Sequence, residues 1–73
     1  MSSRENFIRL AEQRVNKCIK ILDLIGNLSN RTNYTYSEED VVKIIKSLQN
    51  KIKQVESRFE YSVKNTDKNS FKL

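Results

Sequence analysis

Two apolar stripes decide what this chain can fold into. The first runs through Ile8, Ala11, Val15, Cys18, Leu22 and Ile25, and the second through Val41, Ile45, Leu48, Ile52, Val55 and Phe59. Both step by threes and fours, the spacing that lines side chains along one side of an α-helix and that a strand, with its period of two, does not reproduce. The stripes predict an all-α chain, an antiparallel two-helix hairpin. Its boundaries are a helix over 3–25, a connection over 26–37 and a helix over 38–62, so that residues 1–62 form one domain.

Local signals mark the same boundaries. Ser2 followed by Glu5 reads as a capping box, in which hydroxyl and carboxylate satisfy the exposed amides of a helix start. Gly26, the only glycine, falls just past the last residue of the first stripe, where a left-handed C-cap is expected. Ser37 followed by Asp40, with Glu38 and Glu39 between them, places a cap and three acids where the helix dipole favours negative charge. Beyond Phe59 the pattern decays into the polar run Lys64 to Ser70, and residues 63–73 are expected to form a disordered tail.

The fraction of surface that a chain of 73 residues can bury on folding leaves it near the limit of independent stability, so the hairpin is expected to need a partner. The first helix adds Phe7, Leu10, Ile19 and Ile21 beside its stripe, widening the apolar arc to roughly 180° at about 100° per residue. One neighbour cannot cover that arc. The expectation is a homodimer that packs as a four-helix bundle, with Ile8, Ala11, Val15, Cys18, Leu22 and Ile25 at the interface and the first helix central. Cys18, the single cysteine, can form no internal disulfide and reads as a small buried hydrophobe. Arg14 falls within the apolar arc, where it needs a carboxylate such as Glu56 or a ligand at the bundle edge.

Fourteen Lys and Arg against nine Asp and Glu give a formal charge of +5, and no histidine tunes it near neutral pH. That sign favours acidic partners, nucleic acid among them. The connection interleaves Arg31, Tyr34 and Tyr36 with amide side chains, a set able to grip a phosphate and stack on bases or to anchor a protein interface. The competing reading has the tyrosines covering the end of the bundle, with Tyr36 stapled onto the first turn of the second helix near Val41. Lys43, Lys46 and Lys53 share one side of the second helix and form a row that can track a phosphate backbone. Arg9, Lys17 and Lys20 make a similar row on the first helix, diluted by Glu5, Glu12 and Asp23. Either row can equally be a solvated face. Asn27, Asn30 and Asn33 begin formal glycosylation triplets, but in a cytosolic chain they read as turn formers.

Other classes find little support. No stretch approaches the length of a membrane span, and charges in the first ten residues interrupt any signal-peptide core, so a cytoplasmic protein is expected. With no histidine, no cysteine pair and no glycine-rich phosphate loop, the chain is read as no enzyme: no catalytic residue, metal, cofactor or small-molecule substrate is assigned.

Arg9-Leu10-Ala11-Glu12, Arg14, Asn16-Lys17, the run from Leu24 to Arg31, Asn33-Tyr34, Tyr36 and Asp40-Val41 resemble a group of short uncharacterised helical proteins of bacteria and their phages or plasmids. The resemblance covers Arg4 to Phe59. It implies a prokaryotic protein of mobile-element origin with a role in regulation, plasmid biology, or phage defence and counter-defence, and it transfers no site residue. The expected function is that of a small binding or regulatory protein acting on nucleic acid or a nucleic-acid-bound machine. The alternative is a protein-only module, a small subunit or inhibitor that docks through its first helix.

Overall fold

The computed structural model of the chain describes the backbone of residues 2–71 and the side chains of residues 2–62. It contains two helices, α1 (Ser3–Asn27) and α2 (Glu38–Phe71), and no strand among the described residues. The chain falls into two units, residues 1–35 with α1 and the turns that follow it, and residues 36–73 with α2.

α1 starts as its sequence dictates. Ser2 sits in extended conformation, its hydroxyl oxygen accepts the Glu5 amide at 3.1 Å, and the Glu5 carboxylate accepts the Ser2 amide at 3.1 Å. Two of the amides that a helix start leaves open are thereby satisfied reciprocally.

Its end differs from expectation. Gly26 lies inside the helix rather than beyond it, and the cap is Leu28, at φ −69° and ψ −9°, in the right-handed region. The left-handed glycine cap expected at position 26 is therefore absent, and α1 runs two residues past the expected boundary at 25. The helix closes instead by tightening. The Leu28 amide donates to the Ile25 carbonyl and the Ser29 amide to the Gly26 carbonyl, each at 3.0 Å and each spanning three residues. Such bonds occupy terminal carbonyls without any residue at positive φ.

α2 opens on a second reciprocal cap. The Asp40 amide donates to the Ser37 hydroxyl oxygen at 3.1 Å and the Ser37 amide to the Asp40 carboxylate at 2.9 Å. Glu38, Glu39 and Asp40 occupy its first turn. The backbone stays helical past the expected boundary at 62, as far as Phe71. Most of the stretch expected to be a disordered tail, namely the side chains of residues 63–71 and the whole of residues 72 and 73, lies outside the described residues.

No side chain of residues 2–62 is buried. Leu10, Ala11, Ile25, Tyr36 and Leu48 are half-buried, and every other member of the two stripes is exposed. Cys18, read from the sequence as a small buried hydrophobe, is exposed as well. Among the described residues no helix is long and apolar enough to cross a membrane.

Candidate functional site

The connection between the helices is ordered by short-range hydrogen bonds. After the α1 cap, the Asn30 amide donates to the Asn27 carbonyl at 3.4 Å. Asn30 then organises the next turn. Its side-chain oxygen accepts the Thr32 amide at 3.0 Å, and its carbonyl accepts the amides of Asn33 at 3.2 Å and Tyr34 at 3.0 Å. This is the side-chain mimicry of a turn that asparagine favours, and it accounts for the amide-rich composition of the segment. Arg31 is thus carried on a turn closed at both ends by Asn30. Tyr34 follows with 47 % of its surface exposed.

Arg31 and Tyr34 belong to the first unit, and Tyr36 with Lys43, Lys46 and Lys53 to the second. Tyr36 is half-buried and stands immediately before the Ser37 cap. The three lysines are exposed. On α2 they occupy the side away from Val41, Ile45, Leu48, Ile52 and Val55, because at about 100° per residue they fall within an arc of roughly 80° lying opposite the stripe. Asn50, Gln54 and Ser57 share that side. On that side of the helix no acid lies between Lys43 and Ser57, Glu56 falling outside the arc, whereas Glu38, Glu39 and Asp40 precede the row in the first turn.

The corresponding face of α1 is less suited to an anion. Arg9 already donates to the Asn6 side-chain oxygen at 2.8 Å. Glu5, Glu12 and Asp23 run along the side between the basic row and the apolar stripe. Arg14, placed in the apolar arc by the sequence, is exposed.

Two contacts were not anticipated from the sequence. The Arg4 guanidinium lies 5.8 Å from the centre of the Phe7 ring, and the Lys51 ammonium donates to the Gln54 side-chain oxygen at 3.1 Å. Both join residues three apart on a helix, and that spacing alone is the signal that finds them.

Arg31 on its turn and Lys43, Lys46 and Lys53 on α2 are all displayed at exposed positions. Comparison of the chain with protein-family models, with curated proteins and with solved structures gives no match.

Proposed function

We propose that the chain is a non-enzymatic cytoplasmic binding protein whose basic face contacts nucleic acid or a nucleic-acid-bound machine, while its apolar stripes are covered by association. The observation that carries this reading is the two-sidedness of α2. Its apolar stripe lies on one side, and on the other Lys43, Lys46 and Lys53 are interrupted only by neutral polar residues. Covering the stripe would leave the lysines outward, spaced along the helix as a phosphate-tracking row. Arg31 and Tyr34, on the turn that follows α1 in the chain, offer a guanidinium and a ring of their own. The assembly envisaged is a homodimer, two helical hairpins forming a four-helix bundle.

The exposed apolar side chains of α1 outside its stripe favour the second reading, a protein-only module. Leu24 is 64 % exposed, and Phe7, Ile19 and Ile21 are exposed too. Ionic strength separates the two. Counterion release makes a nucleic-acid contact weaken steeply with salt, whereas apolar docking hardly responds. The test is fluorescence anisotropy with labelled single- and double-stranded DNA and RNA at low salt. Binding is expected, with the Lys43→Gln, Lys46→Gln, Lys53→Gln triple variant lowering the logarithmic salt slope by up to about three. Arg31→Ala with Tyr34→Ala is expected to weaken binding at unchanged helicity. No binding to any of the four would overturn the nucleic-acid reading in favour of protein docking.

A further inference from the structure

The α2 stripe is narrower and more regular than its amphipathicity alone requires. Its members are separated by four, three, four, three and four residues, a strict repeat of seven; the repeats starting at Ile45 and Ile52 hold two apolar residues each, and the one before them adds Val42 and Ile44 at its flanking positions. In heptad letters, Ile45, Ile52 and Phe59 take position a, and Val41, Leu48 and Val55 take position d. In the central repeat Ile45 at a is followed by Leu48 at d, the combination that favours two strands, whereas the d positions on either side hold Val41 and Val55. All of these side chains but the half-buried Leu48 lie open on the single chain: Ile52 is 63 % and Phe59 59 % exposed.

The flanks supply the direction. Positions g of the second and third repeats hold Lys51 and Arg58, and positions e hold Gln49 and Glu56. In a parallel, in-register pair, position g of one helix faces position e of the following repeat on the other. Lys51 would then meet Glu56 of the second copy, and by symmetry the contact would form twice. In an antiparallel pair of the same two helices g faces g and e faces e, so Lys51 and Arg58 would meet only one another or Ile44, and Glu56 would find no cation. The Lys51 ammonium is held in the single chain only by its exposed contact with Gln54, a bond easily exchanged for a carboxylate.

From the repeat and the charges together we infer that α2 pairs in parallel and in register with α2 of a second copy of this chain, as a two-stranded coiled coil. The outer positions agree with it: Lys43, Asn50 and Ser57 at f, Lys46 and Lys53 at b, and Ser47 and Gln54 at c are all polar. Within a four-helix assembly this makes α2, not α1, the central pair and puts both connections at the same end. α1 shares the repeat of seven, with Ile8, Val15 and Leu22 at one seam position and Ala11, Cys18 and Ile25 at the other, but not a facing pair of opposite charges at its flanks. Its flanking positions include Phe7, Ile19 and Ile21, which suit a wider contact than a two-stranded seam. The pairing goes beyond the nucleic-acid reading and does not depend on it.

Light scattering and sedimentation of the full chain test the pairing. Wild type is expected at twice the chain mass. Lys51→Glu and Glu56→Lys should each raise the dimer dissociation constant about tenfold, since each sets like charges against one another at two symmetric contacts. Combining both changes in one chain should restore it, and mixing the two single variants should yield the heterodimer. Direction is read by Ser62→Cys, at the next d position, in a Cys18→Ser background. Parallel pairing brings the two copies of residue 62 within reach of a disulfide, about 5.5–6 Å between Cα atoms, so mild oxidation should cross-link them, whereas Asn50→Cys at the outer face should not. A monomer at micromolar concentration, a dimer indifferent to both charge reversals, or a dimer that Ser62→Cys fails to cross-link would each overturn the inference. Nucleic-acid binding by a monomeric chain would overturn the coiled coil and leave the lysine face standing. A dimer that binds no nucleic acid would do the reverse.

Discussion

Ser37 and Asp40 hold the start of α2 with two bonds of 3.1 and 2.9 Å, and Ser2 and Glu5 hold the start of α1 in the same way. Serine at an N-cap contributes about 1 kcal/mol through the amide it satisfies. Ser37→Ala is therefore expected to lower stability by about that amount and to fray the first turn of α2, read as lost ellipticity and a lower melting midpoint. Gly26 presents the opposite case. It sits in helical conformation inside α1, and a Cβ added there would meet no atom within 4 Å. Glycine in a helix interior is destabilising by roughly 0.5–1 kcal/mol relative to alanine, because it surrenders more backbone freedom on folding. Gly26→Ala should thus stabilise the chain by that amount in thermal unfolding. A loss of stability would mean that position 26 takes the left-handed conformation after all.

At the level of the helices, the proposed roles of the polar face and the apolar stripe of α2 can be separated by substitution. Ile52→Asp should reduce both the apparent mass and the helicity, since it puts a charge into the seam. Asn50→Ala, on the lysine side, should leave the mass unchanged and raise the helicity slightly through its better helix propensity. The two helices and their starts were legible in the sequence because the stripes and both serine–carboxylate pairs are local patterns, complete within a turn or two. The end of α1 was not. A glycine after an apolar stripe is the strongest stop signal a sequence offers, yet here the closing bonds come from the amides of Leu28 and Ser29, and backbone amides leave no mark in the sequence. The turn-forming role of Asn30 was legible from composition. The lysine row was legible as well, because its position follows from helical period alone. What covers the stripes was not, since an apolar face states that it needs a neighbour without naming one.

For the molecule as a whole, both stripes stand exposed except at Ala11, Ile25 and Leu48, and what covers them decides how stability depends on concentration. If chains complete one another, the melting midpoint should rise with protein concentration, as mass action requires of any species that binds only the folded form. A midpoint independent of concentration over two decades would show that a single chain supplies its own stability. The reciprocal caps also bear on the order of events in time. Each joins residues three apart, as do the bonds that close α1, so the helix boundaries are defined before any distant part of the chain is met. Helix formation on this scale takes microseconds or less, whereas joining separate chains is slower and concentration-dependent. Refolding from denaturant should accordingly show most of the helical signal within the mixing time of a stopped-flow instrument, followed by a phase whose rate increases with protein concentration. The serines at positions 2 and 37 would then act as starting points for folding, and collision between chains would set its pace.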